Sequence, residues 1–213
     1  MDGEPDGVPA TYDVKKALPG LYAPRAGVMA VVEVPEQQFV MVDGHGDPNV
    51  SPAYGEAVQA LYALSYAVRA VTKERLGRVH TVAPLEGLWS AEDPSAFVTR
   101  DRGAWDWTMM ISQPEWVGAE ILAAATARAE KKGLAALGRA RFERYAEGTS
   151  VQVLHLGSYD DEGPVLARMH GEFIPQHGFV LRGRHHEVYL SDVRRTEPAK
   201  LRTILRQPVA PAP

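Results

Sequence analysis

One order of predicted elements occurs twice in the 213-residue chain and restricts the folds that it can adopt. Residues 40–44 and residues 153–157 are both apolar runs that end in glycine, and each leads through an acidic, turn-rich stretch into a proline-started helix. Two further strand patterns follow each helix. The repetition predicts an α+β domain of tandem, pseudo-symmetric strand–helix–strand–strand (SHS2) units. Such a domain has antiparallel sheets, helices packed on one face and a central ligand cleft between the units.

The first unit is predicted over about residues 28–113. Its helix begins at Ser51-Pro52, because serine is a good N-cap and proline suits the first helical position. Apolar residues then recur at three- and four-residue steps, which is typical of one buried helix face. Gly77 is suited to end that helix. The strands of this unit are predicted at residues 29–34, 39–42, 82–90 and 105–111.

The second unit is predicted over about residues 139–208, and a helix at about 114–132 joins it to the first. Its own helix begins at Pro164 and is limited by Pro175. Its strands are predicted at residues 139–146, 149–156, 179–192 and 201–208. We therefore expect a single domain over residues 12–208, with residues 1–11 and 209–213 as flexible tails.

The composition restricts the classes of function. The formal net charge is −4 and there is no cysteine, which excludes disulfides, thiolate metal sites and a cysteine nucleophile. No clustered positive excess favours nucleic acid or an anionic membrane as a partner, and no apolar run has transmembrane length. His185 and His186 are adjacent on a predicted strand, so they point in opposite directions and do not chelate one ion easily. We expect a cytoplasmic protein without a metal or cofactor, and the oligomeric state stays open.

Segments spread over most of the chain after about residue 12 resemble the GyrI-like small-molecule-binding family in their order and combination. They are MVDGHGDPN at residues 41–49, PLEGLW at 84–89, WDWTMM at 105–110, VQVLHLGSYDDE at 151–162 and HHEVYLSD at 185–192, followed by Arg194-Arg195-Thr196, Pro198, Leu201 and LRQP at 205–208.

The resemblance implies tandem strand–helix–strand–strand units around a cleft for flat, aromatic or cationic small molecules. It also implies a glutamate on a strand of the second unit. Some members are effector-binding halves of transcription activators, but the roughly 27 residues before the first strand are too few for a helix-turn-helix domain. The sequence is most similar to a stand-alone branch that includes cyclopropanoid cyclopropyl hydrolases, which open the cyclopropane ring of DNA-alkylating antibiotics.

Glu187 and Tyr189 are the candidate catalytic residues. Side chains alternate across a strand, so Glu187, Tyr189 and His185 share one face. The resemblance favours a functional role for Glu187 over that of a solvated strand carboxylate. A carboxylate at this place removes a proton from an attacking water, and the tyrosine positions the water or a carbonyl group.

Aromatic and polar side chains supply the candidate ligand-binding residues. Two neighbouring predicted strands carry three tryptophans, Trp89, Trp105 and Trp107, and at least one of them is expected in the core. Aromatic faces in a cleft stack on flat ligands and hold cations. The candidates are Trp89, Trp107, Glu86, Tyr159, Tyr54 and His155. Glu86 is either the pseudo-symmetric partner of Glu187 or an ordinary charge near a turn, and Tyr54 is equally well placed as a helix core residue.

Two functions from different classes remain open. The first is a detoxifying hydrolase that opens the ring of an electrophilic cyclopropane compound by glutamate-assisted attack of water. The second is a non-catalytic protein that binds, sequesters or senses a drug. Inhibition of gyrase is a weaker third interpretation, because the sequence shows no strongly acidic, DNA-like surface.

Overall fold

The computed structural model describes residues 11–93 and 95–213, which contain nine strands and seven α-helices. The strands are β1 Ala30–Val34, β2 Gln37–His45, β3 Leu85–Ala91, β4 Trp105–Gln113, β5 Arg141–Tyr145, β6 Gly148–Leu156, β7 Phe179–Leu181, β8 His185–Tyr189 and β9 Arg202–Pro211. The helices are α1 Val14–Ala17, α2 Pro19–Tyr22, α3 Pro52–Leu76, α4 Ser95–Thr99, α5 Ala119–Glu130, α6 Gly163–Arg168 and α7 Ile174–Gln176. Nearly all of the tail predicted at residues 1–11 lies outside the described residues.

One antiparallel sheet carries the pseudo-symmetry. Its order is β1-β6-β9-β8-β3-β4-β2-β5, with β7 added on β9, and all of these ladders are antiparallel. The first strand–helix–strand–strand series is β2-α3-β3-β4, and the second begins with β6 and ends with β8 and β9. The two series meet at the central β3–β8 pair. Outward from this pair the corresponding strands follow in the same order, β3-β4-β2 on one side and β8-β9-β6 on the other. The predicted α+β class and antiparallel pairing are confirmed.

The two edges of the sheet are connected by one long ribbon. β1 pairs with β6, while β2, which follows β1 after only Pro35 and Glu36, pairs with β5. The register is continuous across the break, because Val34 lies opposite Gly148 and Gln37 lies opposite Tyr145. Each long strand is therefore interrupted once without losing its alignment with the other.

The helix of the first unit has the limits that its sequence predicts. Pro52 begins α3 and Gly77 ends it in a left-handed conformation with a φ of 64°, which costs glycine little. Ala57, Leu61 and Val68 are fully buried along one face. This face packs against β2 and β4, and α5 packs against α3 in turn. Within the described ranges, no helix has the length and apolar character needed to cross a bilayer.

The helix of the second unit is divided. A π-helical turn, Met169–Phe173, separates α6 from α7. Met169 and Ile174 are buried against Val153 and Leu205 of the sheet. The predicted helix from Pro164 is thus present, but it is not one regular α-helix.

The C-terminal region differs from the prediction in two places. Residues 179–192 are not one strand, because Gly183, with a φ of 65°, separates β7 from β8. The predicted tail at residues 209–213 is wrong in part, since β9 continues to Pro211. The reason is the pairing of Leu181 with Val209, which gives these residues a partner strand and buries Val209.

Candidate functional site

The central β3–β8 pair has two chemically different faces. Gly87 lies opposite Glu187, and Leu85 lies opposite Tyr189. Because side chains alternate, the odd-numbered residues of both strands share the face towards α3, and the even-numbered residues share the other face. Glycine at position 87 leaves room for the side chains of Trp89 and Tyr189, because a Cβ there would lie 2.9 Å from Nε1 of Trp89 and 3.2 Å from the hydroxyl oxygen of Tyr189.

An aromatic cage surrounds Glu187 on the face towards α3. Tyr54 of α3 stacks on Trp89 with ring centroids 6.4 Å apart. Nε1 of Trp89 donates a hydrogen bond of 3.0 Å to the hydroxyl oxygen of Tyr189, and Tyr159 meets Tyr189 edge-on at 5.8 Å. The structure therefore brings together four predicted ligand-binding or catalytic aromatic residues, contributed by both units. We call this group the aromatic cage: Tyr54, Trp89, Tyr159 and Tyr189.

Trp107 is a buried residue that packs against Tyr54 of the aromatic cage. Its side chain is 1% exposed, its Nε1 donates to the carbonyl oxygen of Gly46 at 3.2 Å, and Tyr54 contacts its ring edge-on at 5.3 Å. The ring lies directly over Gly44, where a Cβ would come within 2.0 Å of it. Trp107 is thus a core residue that holds Tyr54 in place.

Glu162 is a second carboxyl group at the cage, and the sequence prediction missed it. It precedes α6 and is 5% exposed. Burial, and then the negative charge of Glu187, raise its pKa to about 9, so it is protonated at neutral pH. Its position just before the predicted start of a helix could have indicated a role at the end of the sheet. However, it lies in the turn-rich residues 157–163, which predict only a turn.

The tyrosines of the cage stay protonated as well. Burial, followed by the charge of Glu187, raises the pKa of Tyr159 to about 12 and also raises the pKa values of Tyr54 and Tyr189 well above their ordinary range. The phenols and Glu162 are therefore hydrogen-bond donors at neutral pH. The Glu187 side chain is 15% exposed, so the cage holds one carboxylate that a ligand can reach.

The prediction that Glu86 belongs to this site is wrong. Glu86 lies on the opposite face of β3, where it is fully buried, accepts a hydrogen bond of 2.9 Å from the Tyr22 hydroxyl and pairs with Nε2 of His186 at 3.0 Å. Strand parity explains the difference. Glu86 lies opposite Val188, so its side chain points away from that of Glu187 and the two are not pseudo-symmetric partners.

The buried cluster around Glu86 is an ion-pair network. Nδ1 of His186 lies 2.9 Å from Glu147, which also accepts a hydrogen bond of 3.2 Å from Arg206. Burial alone would lower the pKa of His186, but the charge of Glu147 and hydrogen bonds to Glu147 and Glu86 raise it to about 9. Burial opposes ionisation of Glu147, yet His186 and Arg206 lower its pKa to about 2. Arg206 also donates to the Leu21 carbonyl oxygen, which ties the N-terminal segment to the sheet.

His155 braces the turn that carries Tyr159. It is 7% exposed, and its Nε2 lies 3.1 Å from the carbonyl oxygen of Ser158. Its strand, β6, is separated from β8 by β9. His155 therefore acts on the cage through the turn.

Two open cavities occur elsewhere, at the N-terminal segment. One, of about 440 Å³, is lined by residues that include Tyr12, Arg78 and Trp116, and the other, of about 630 Å³, by residues that include Leu18 and Leu21. Neither lining contains Glu187 or Glu162, and the perturbed pKa of Glu162 beside Glu187 makes the aromatic cage the stronger candidate. Among residues 11–93 and 95–213, no three histidine, aspartate or glutamate side chains are arranged to hold a metal ion.

Known proteins share this architecture. The family model of the GyrI-like small-molecule-binding domain matches residues 29–210. The crystal structure of an uncharacterised conserved protein from Listeria innocua is 39% identical, with a TM-score of 0.86, over 94% of this chain and 100% of that one. A hydrolase from Listeria innocua is 37% identical, with a TM-score of 0.83 and the same coverage.

A more distant match shows the fold alone. The C-terminal domain of EcmrR is 15% identical, with a TM-score of 0.54, over 87% of this chain and 98% of that one. No curated protein matches the chain.

Proposed function

The chain belongs to the family of GyrI-like small-molecule-binding domains, and on this premise we propose that it is a hydrolase that adds water to the strained cyclopropane ring of flat, DNA-alkylating compounds. The observation that carries the proposal is the accessible carboxylate of Glu187 inside an aromatic cage, next to the protonated carboxyl group of Glu162. The similar Listeria innocua hydrolase supports it.

The cage accounts for binding. Aromatic faces from α3, β3 and β8 suit a flat heteroaromatic ligand, which they hold by stacking. Tyr159 is 39% exposed, so it is the cage ring that a ligand meets first. Holding the ring carbon near Glu187 turns the attack of water into an oriented step.

The chemistry needs one base and one acid. Glu187 takes a proton from water as the water oxygen bonds to the cyclopropane CH₂ carbon and the ring C–C bond breaks. The electron pair of that bond passes through the conjugated dienone to its carbonyl oxygen, which becomes a phenol oxygen. Glu162 gives this oxygen its proton, and Glu162 later regains a proton from solvent.

The two carboxyl groups are coupled so that the acid strengthens when it is required. The charge of Glu187 is one cause of the raised pKa of Glu162. Once Glu187 has taken the water proton, that repulsion disappears and the pKa of Glu162 falls. Proton uptake at Glu187 therefore favours proton release from Glu162 in the same turnover.

Replacement of Glu187 by glutamine tests this assignment. The variant Glu187→Gln keeps the size of the side chain but cannot accept the proton, so turnover of a cyclopropane-bearing alkylator should fall by roughly 10²–10⁴-fold. Ligand affinity, measured by quenching of tryptophan fluorescence, should change little because stacking carries it. Glu172→Gln, at an exposed position on the π-helical turn, is the matched control. Full activity of Glu187→Gln would refute the role of Glu187.

Binding without turnover is the second candidate function. The hydrogen bond from Trp89 to Tyr189 and the stacked rings form a recognition surface whether or not chemistry follows. A ligand that binds with the expected quenching but is recovered unchanged would favour a sequestering or sensing protein.

A further inference from the structure

His185 is a half-buried histidine whose ring nitrogens make no hydrogen bond among the described residues. Both of its ring nitrogens are inaccessible and lack a hydrogen-bond partner among the described residues. Such an atom costs roughly 1–3 kcal/mol and calls for an explanation. Its Nε2 lies 3.6 Å from Oε1 of Glu187, and the two side chains are 14% and 15% exposed. This separation is slightly longer than a hydrogen bond, so a small rotation of either side chain would close it.

A second histidine continues the row away from the cage. The ring of His170 meets that of His185 edge-on, with centroids 6.2 Å apart. Nε2 of His170 is also buried and has no partner within the described ranges. His170 belongs to the π-helical turn Met169–Phe173, a distortion found frequently at functional sites. His170 is partly exposed, so the row Glu187–His185–His170 runs from the base to a residue that solvent reaches.

The tyrosines beside Glu187 cannot take up the proton that it has gained, because they are already protonated. Glu162 keeps its own proton until the product oxygen takes it, and is then reprotonated from solvent. We propose that His185, backed by His170, accepts the proton that Glu187 has taken from water and so returns Glu187 to its ionised form for the next turnover. This role rests on the hydrolytic function proposed above, and it makes His185 a positioning residue that acts through Glu187.

The proton transfers balance. The O–H bond of Glu187 breaks as an N–H bond forms at Nε2 of His185. The resulting imidazolium loses its Nδ1 proton on the side of His170, from which the proton passes to solvent, and a flip of the His185 ring, which breaks no hydrogen bond, turns the free nitrogen back to Glu187. Burial, and then the neighbouring His185, lower the pKa of His170 to about 4, so His170 passes the proton on and does not retain it. One proton leaves by this route and one returns to Glu162, as the net addition of water requires.

Comparison of single and multiple turnovers tests the proposal. In His185→Gln, the rate of product formation in a single turnover should stay within about twofold of wild type, because Glu187 starts ionised. The steady-state kcat should fall by at least about tenfold, and added imidazole should restore it. His170→Gln should show the same pattern with a smaller loss. His177→Gln, an exposed histidine next to α7, is the control and should behave as wild type.

Two results would overturn the relay. An unchanged steady-state kcat in His185→Gln would mean that Glu187 is reset without it. Equal losses in single and multiple turnovers, insensitive to imidazole, would mean that His185 only holds the structure.

A test that needs no activity separates this proposal from the proposed function. If the wild type forms no product, the hydrolytic function fails. NMR titration still reads the contact between the two histidines, since His185→Gln should raise the pKa of His170. An unchanged His170 pKa would overturn the relay by itself.

Discussion

The buried ion-pair network on the far face of the sheet predicts a pH-dependent stability. His186 is 1% exposed and lies between Glu147 and Glu86. Its pKa is about 9 in the folded protein, against an ordinary value of 6.5. A group whose pKa is raised by folding stabilises the fold fully below its unfolded pKa and loses that contribution as the pH rises through its folded pKa. The window for His186 is therefore about pH 6.5 to 9.

The size of the effect follows from the two pKa values. At about 1.4 kcal/mol per pH unit, the difference between 6.5 and about 9 corresponds to roughly 3 kcal/mol of stability. Removing one member of a buried ion pair costs about 3–5 kcal/mol. His186→Gln should therefore be destabilised by several kcal/mol at pH 6.5, and the gap to wild type should shrink by roughly 3 kcal/mol by pH 10.

Urea unfolding at a series of pH values measures this gap. The pKa of Glu162 also differs between the folded and the unfolded protein. Its raised pKa removes stability as the pH rises from about 4.5 to about 9. That contribution is common to wild type and variant, so the difference between their curves isolates His186. His45→Gln, whose side chain is 62% exposed, should follow the wild-type curve. A gap between His186→Gln and wild type that stays constant from pH 6.5 to pH 10 would show that folding does not raise the pKa of His186.

Two further substitutions test how the cage is supported. Gly44→Ala should displace Trp107, because the new Cβ would lie 2.0 Å from its ring. We expect a loss of roughly 1–3 kcal/mol of unfolding free energy in urea and weaker ligand binding. Gly138→Ala, whose new Cβ meets no atom within 4 Å, should show neither effect. Asp160→Asn should weaken the contacts of 2.7 Å from Arg102 and 3.5 Å from Arg100 to the turn that carries Tyr159. Stability should change by less than about 0.5 kcal/mol while stopped-flow fluorescence shows faster ligand association and release; unchanged rates would mean that this turn does not limit access.

Local sequence signals predicted the local structure well. The Ser51-Pro52 and Gly77 signals placed both ends of α3, because the fixed φ of proline at the start and the left-handed glycine at the end act within a few residues. Strand alternation correctly placed Glu187 and Tyr189 on one face, since the period of two is a property of the backbone. The same rule, applied to Glu86 with the register of the β3–β8 pair, would have excluded it from the cage. That register is a long-range property that the sequence did not reveal.

The remaining features depend on contacts between distant residues. The interrupted ribbon formed by β1–β2 and β5–β6 positions Glu147 for His186 and Arg206, and neither strand signals its partner locally. The burial of Trp107 depends on Gly44 in a neighbouring strand. Glu162 acquires its chemistry from burial near Glu187, which a turn-rich sequence does not indicate.

The proposed hydrolysis depends on activation of water by Glu187 against a cyclopropane ring. The most direct measurement is incubation of the protein with a cyclopropane-bearing alkylator in ¹⁸O-labelled water, followed by mass spectrometry of the recovered ligand. We expect the ligand recovered from the wild type, but not from Glu187→Gln, to have gained one water that carries the heavy oxygen. A ligand that is bound but recovered without added water would contradict it.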